Sequence, residues 1–128
     1  MMETIRVDID GRGIATLTLA RAEKHNAMSG QMIAELTEAA GVLGADPGVR
    51  AVILAAEGPT FCAGGDLGWM RAQADADRAT RMAEANKLAM MLRALDRMPK
   101  PLIARVHGNA FGGGVGLLSV CDMAIGTP

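Results

Sequence analysis

Leu102-Ile103-Ala104-Arg105-Val106, continued by His107-Gly108-Asn109-Ala110-Phe111-Gly112-Gly113-Gly114-Val115-Gly116, reads as a strand that stops in glycines and restarts as a helix. Pro99-Lys100-Pro101 ends the preceding helix and opens this strand, because proline disfavours helical backbone at its own position and at the one before. The same grammar occurs upstream, where the apolar run Ala51 to Ala56 leads into Phe61-Cys62-Ala63-Gly64-Gly65-Asp66-Leu67. A strand–glycine–helix junction presents bare backbone N–H groups at the positive end of a helix dipole. Two such junctions in one small domain could converge on a single oxygen that becomes negative during a reaction.

The rest of the chain fits an α/β domain around these junctions. Ile5 to Ile9 and Ile14 to Leu19 alternate apolar and polar residues about an Asp10-Gly11-Arg12-Gly13 turn, which predicts a hairpin of two half-buried strands. Arg21 to Asn26 is a polar loop. Ser29 is a good N-cap for a helix whose Met32, Ile33, Leu36, Ala39, Ala40 and Leu43 share a face, and Gly44 with Pro47-Gly48 ends it. Val49 to Ala56 is expected to be a buried strand. Asp66 can cap a helix beginning near Leu67, and Thr80 to Arg97 is a longer helix with Met82, Ala85, Leu88, Ala89, Leu92 and Leu95 on a core-facing side. A short helix begins at Gly112 to Gly114, and Asp122 to Ile125 is a last strand. Helices alternating with strands through short connections define the class.

Composition narrows the function. At 128 residues, half of them apolar, the chain is a single globular domain. Phe61, Phe111 and Trp69 are its only aromatics, so the core is built from aliphatic residues and ten Met. A net charge of −1 without a basic stripe, and without stacking platforms, argues against nucleic acid. The sequence has no run long enough to span a membrane, and Met1 to Arg6 lacks the apolar core of a signal peptide. The expectation is a cytoplasmic protein.

Cys62 and Cys121 form neither a disulfide framework nor a CxxC metal site, and they read as reduced thiols with no metal bound. Cys62 stands at a helix entrance, where a thiolate would be favoured, but no base lies beside it. A P-loop would need Lys-Ser or Lys-Thr after its glycines, and Leu117 stands where a Rossmann fingerprint needs its third glycine.

Four ordered stretches carry a resemblance: Arg21 to Met28, Phe61 to Leu67, Pro99 to Leu117, and Cys121 to Ile125. Together they resemble the crotonase (enoyl-CoA hydratase/isomerase) superfamily across essentially the whole chain. Asp66-Leu67-Gly68-Trp69-Met70-Arg71 further resembles bacterial methylglutaconyl-CoA hydratases of leucine breakdown. The resemblance implies the N-terminal portion of a ββα spiral, and an acyl-CoA thioester as substrate, with coenzyme A part of that substrate rather than a cofactor. It implies an oxyanion hole for the thioester carbonyl made by the backbone N–H groups of Gly65 and Gly113. It places Glu23, Lys24, His25, Ala27, Ala63, Gly64, Asp66, Leu67 and Trp69 in substrate or CoA binding, with Lys24 facing a nucleotide phosphate. Met70 joins Trp69 as a candidate lining of the acyl pocket. Helix capping is the simpler role for Asp66, strand-end packing that for His107, and Arg21 can equally be structural.

One departure matters. Hydratases of this superfamily use two glutamates, one a few residues after the glycine triplet, to activate water and to handle the α-carbon proton. Gly116 occupies that position here, and the second glutamate would fall beyond Pro128. The family domain normally continues into further turns and C-terminal helices that complete the pocket and a trimer or dimer of trimers. The 128-residue chain alone is therefore expected to expose its last strand and to associate or dissolve poorly. Sedimentation checks this, and a monodisperse monomer with a cooperative melt would count against it.

Overall fold

The computed structural model describes residues 2–128; Met1, part of the N-terminal stretch read above, lies outside them. Strands β1 (Ile5–Ile9) and β2 (Ile14–Leu19) pair antiparallel, Ile5 opposite Leu19 and Ile9 opposite Ala15. The Asp10 carboxylate closes their turn by accepting from the Arg12 and Ile14 N–H groups. Helix α1 (Gly30–Ala45) follows, with the Ser29 hydroxyl accepting from the Met32 N–H as its cap. Then come β3 (Ala51–Ala56), α2 (Leu67–Asp75), α3 (Arg78–Asp96), β4 (Leu102–Val106), the short α4 (Gly113–Ser119) and β5 (Met123–Gly126).

The sheet runs β1-β2-β3-β4-β5, and every pairing after the first is parallel. Each parallel pair needs a crossover, and crossovers are right-handed. Because successive strands are neighbours, those crossovers put α1, α3 and α4 on one face. The core confirms this: Met32, Leu36 and Leu43 of α1, Met91 and Leu95 of α3 and Leu117 of α4 join one cluster with the sheet. Register builds the sheet's half of that core. Ala15 lies beside Val52 and Val52 beside Leu102, while Leu17 lies beside Leu54 and Leu54 beside Ala104; all six are buried. These rows run across three strands, so a one-residue slip in any of them would turn its buried set to the other face.

All six apolar positions expected on α1 are buried, and so is Glu35 between them. Its carboxylate accepts from the Thr4 N–H and hydroxyl and from the Glu3 N–H. Burial opposes ionisation, but these donors outweigh it and hold the Glu35 carboxyl below its usual value.

Several expectations need correction. The first strand is not half buried, since only Ile5 is covered. The third begins at Ala51, because the Val49 N–H still closes the turn after α1 on the Asp46 carbonyl. Helix α3 starts at Arg78, two residues early, because the Asp77 carboxylate accepts from the Thr80 N–H and supplies an N-cap. Of its expected apolar stripe only Leu95 is buried, near the C-terminal end, joined by Met91, which lies outside that stripe. Leu88 and Leu92 are partly covered, Ala85 and Ala89 are exposed, and Met82 is 61% exposed. Helix α2 packs beside α3, with Trp69 near Glu84, but it leaves Met82 and Ala85 uncovered, so helical spacing there reports a face without a core behind it. Strand β5 has all four residues exposed. Among the described residues no helix is long and apolar enough to cross a membrane.

Lys100, between the two prolines, ties the frame together. Its ammonium donates to the carbonyls of Leu43, Asp46 and Val49, at 3.2, 2.6 and 2.6 Å, and so satisfies the C-terminal end of α1 where the chain turns into β3. Replacing it strands carbonyls that water must then reach. Lys100→Met is expected to cost about 1–3 kcal/mol of stability, read by urea denaturation. A variant that melts with the unaltered chain would assign those bonds no net value.

Candidate functional site

The loops after β2, β3 and β4 meet because parallel neighbours all release their chains at the same edge of the sheet. The loop after β2 carries residues 20–29, that after β3 carries 57–66, and that after β4 carries 107–112. Short bridges zip them together. The Asn109 carbonyl accepts from the Phe61 N–H, and the Cys62 carbonyl from the Phe111 N–H, both at 3.0 Å. Met28 pairs in parallel with Gly65, through Met28 N–H to Gly64 C=O at 2.7 Å and Asp66 N–H to Met28 C=O at 2.9 Å.

Within these loops two glycines are demanded by backbone conformation. Gly64 has φ +99° and Gly112 has φ +51°, in regions that side chains disfavour. The two turns touch there: a methyl on Gly64 would lie 3.0 Å from the Phe111 carbonyl oxygen and 3.6 Å from the Gly113 nitrogen. Gly114 is needed for closeness, since a methyl would stand 2.6 Å from the Cys62 carbonyl oxygen. Among the described residues, neither the Gly65 N–H nor the Gly113 N–H donates to any acceptor. They are uncommitted donors on two adjoining turns.

The polar loop after β2 owes its shape to Asn26, a residue the sequence reading passed over. His25 and Asn26 both take left-handed backbone, φ 52° and 56°. Asn26 is fully buried; its Oδ1 accepts from the Arg21 N–H, and its Nδ2 donates to the carbonyls of Glu57 and Thr60. Those bonds offset the strain and lash the loop to the one beside it. A buried amide with all partners on the main chain leaves no mark in composition; an Asn within a left-handed turn is the only local hint.

Arg21 and Asp66 close the arrangement. Arg21 Nη1 reaches both the Ala27 carbonyl at 2.8 Å and Asp66 Oδ2 at 2.9 Å, while Asp66 Oδ1 accepts from the Trp69 N–H and caps α2. The Trp69 N–H, aided by the Arg21 guanidinium, holds the Asp66 carboxyl below its usual range despite partial burial. Asp66 is thus a cap and ion-pair partner with no proton to give at neutral pH. His107 stands exposed at the end of β4, where its Nε2 bonds the Gly58 carbonyl, so it is fixed by a bond rather than by packing.

Neither thiol is activated. Cys62 is fully buried and donates to the Asn26 carbonyl, and burial pushes its thiol up. The favourable helix entrance expected for it is therefore overruled by desolvation. Burial, aided by the Asp122 charge, pushes Cys121 up to about 11. No group of three or more His, Cys, Asp or Glu among the described residues is placed to hold a metal ion.

The three loops enclose a cleft of about 840 Å³. Of the residues singled out in the sequence, Glu23, Lys24, His25, Ala27, Ala63, Gly64, Gly65, Asp66, Leu67 and Met70 line it. Trp69 does not: its indole packs partly into the core beside Gly30. On the second turn Gly112 lines the cleft and Gly113 stands just behind it, at the start of α4.

The arrangement defines a class: an α/β domain whose single-faced crossovers bring three loops to one cleft, with two uncommitted backbone N–H groups on adjoining turns and a polar loop beside them. Comparison with known proteins identifies that class. The family model described as enoyl-CoA hydratase/isomerase matches residues 10–127, and the chain belongs to this family, the crotonases. It is 37% identical over 116 residues to 4-chlorobenzoyl coenzyme A dehalogenase-1 of an Arthrobacter species, covering 90% of this chain and 42% of the relative. It is 34% identical over 129 residues to a mitochondrial Delta(3,5)-Delta(2,4)-dienoyl-CoA isomerase of Mus musculus, covering 94% of this chain and 39% of that one. An enoyl-CoA hydratase from Shewanella pealeana superposes with a TM-score of 0.94 at 38% identity, covering 98% of this chain and 47% of that structure. The chain thus has the crotonase fold and spans less than half the length of these relatives.

The Arg21–Asp66 pair predicts a pH dependence. The folded carboxyl titrates below its unfolded value of about 3.9. Its contribution is therefore complete above that value and is lost as pH falls through the folded pKa. Asp66→Asn should be less stable than the unaltered chain at neutral pH, and the gap should narrow below about pH 4. Denaturation at several acid pH values measures this, and a gap independent of pH would sink it.

Proposed function

We propose that this chain binds an acyl-CoA thioester in the cleft between its three loops and stabilises the thioester enolate there. The Gly65 and Gly113 N–H groups are the oxyanion donors. The carrying observation is that these two N–H groups, on turns in direct contact, have no acceptor among the described residues. An enolate concentrates charge on the carbonyl oxygen in the transition state, so fixed donors favour it over the neutral ground state. Backbone donors cost no reorganisation, because Gly64 and Gly112 can hold conformations that most side chains would forbid. Lys24, on the cleft rim with no ion pair among the described residues, faces the nucleotide phosphate, and Leu67 and Met70 contact the acyl group. The reaction is of hydratase or isomerase type, in fatty-acid or leucine catabolism, with the protein working as a trimer or dimer of trimers in the cytoplasm.

A second reading, acyl-CoA binding without turnover, is favoured by one feature. The cleft's carboxylates are Glu23 on the outer loop and Asp66, which is already paired; Gly116 brings none. Proton transfer needs a group poised to give and take.

Gly113→Pro separates these readings. The residue opens α4, where proline is tolerated; the change deletes its N–H and also brings a Cβ against the Met28 Cε, so Gly113→Ala, which brings the same Cβ and keeps the N–H, is the control. Turnover of crotonyl-CoA, followed by loss of its conjugated absorbance, is expected to fall about 10²–10³-fold with CoA affinity kept. Unchanged turnover in a folded variant would refute the donor assignment. Saturable binding with no turnover in the unaltered chain would establish the second reading.

A further inference from the structure

The geometry points to Met28 as the positioning residue that sets the separation of the two donors; this rests on Gly65 and Gly113 being those donors. Met28 grips the first turn by its backbone. Its N–H bonds the Gly64 carbonyl at 2.7 Å and its carbonyl accepts from the Asp66 N–H at 2.9 Å, so the peptide units on both sides of Gly65 are held by one residue. Met28 touches the second turn by its side chain. Met28 is 2% exposed, and its Cε fills the space a side chain at Gly113 would occupy: a methyl built on Gly113 overlaps it. No backbone hydrogen bond reaches from Gly113 to the first turn; Gly64 lies near its nitrogen, and the Met28 methyl is the one side-chain group that a Cβ on Gly113 would meet.

Met28 is itself anchored on both flanks. Arg21 grips the Ala27 carbonyl, and the Ser29 hydroxyl caps α1. The gauge therefore runs from a fixed loop through one unbranched side chain to the second donor. An unbranched thioether suits this role because it reaches between turns without the bulk of a branched chain. Shortening it leaves the first donor bonded as before and lets the second settle towards the space vacated. Misplacement by a fraction of an ångström weakens stabilisation of a developing charge far more than it weakens ground-state binding.

The test uses cinnamoyl-CoA bound to the full chain, because its absorption moves to longer wavelength when the carbonyl is polarised. Met28→Ala is expected to lose most of this shift while its Kd for the thioester changes less than about threefold, the pattern of misaligned donors rather than lost binding. Gly113→Ala, which pushes on the Met28 methyl from the other side, should lose the shift likewise. The pair Met28→Ala with Gly113→Ala should recover it, since the added methyl occupies the space the truncation vacates. Should Met28→Ala fail to fold, Gly113→Ala and its pairing with Met28→Leu carry the same comparison, Leu freeing the space at the tip. A full shift in folded Met28→Ala, a double variant without recovery, or parallel loss of shift and affinity would each overturn the inference. No shift in the unaltered chain would instead remove the donor assignment beneath it.

Discussion

Everything at the cleft depends on parallel pairing of β2, β3 and β4. Antiparallel neighbours would send successive loops to opposite edges, whereas parallel ones deliver three in a row to the same edge. The crossover helices that this pairing requires bury one face of the sheet. The two rows through Val52 and Leu54 then fix how far each strand advances relative to the next. Loop positions inherit that register. Each fully buried Leu or Val adds about 1.5–3 kcal/mol, so the rows make the register costly to change.

Register brings the loops together but leaves their shapes free, and those shapes come from a small polar frame. Asn26, Arg21 and Asp66 bond mainly to backbone and hold segments far apart in sequence. The division is functional in the physical sense. Apolar rows supply most of the free energy, and the polar frame supplies direction, which non-directional burial cannot. The donors proposed at Gly65 and Gly113 then need no side chain of their own.

Much of this was legible in sequence because its signals are local. Ser29 and Asp66 lie three residues before the N–H groups they cap, and β2 alternates as a strand with one covered face should. Gly64 and Gly112 sit just before the helices that follow β3 and β4, so their turns could be placed within a few residues. Asn26, Lys100 and Glu35 were not legible, since nearly all their partners lie between five and 57 residues away and any polar residue in a loop or helix looks alike in advance. The stripe on α3 misled for the opposite reason. Helical periodicity shows that one face is apolar and says nothing of where along the helix a neighbour covers it. Trp69 was drawn to the cleft by its place beside Met70, but adjacent helical residues point about 100° apart, and only Met70 faces that way.

Gly116 has a different standing from the glycines just before it. A methyl there would make only ordinary contact with Leu92, 3.9 Å away, whereas Gly112 is bound by its backbone angle and Gly114 by the Cys62 carbonyl. A side chain at 116 in fact gains up to about 1 kcal/mol of helix propensity. Selection can therefore try new groups at this position one codon at a time without disturbing the turn beside it.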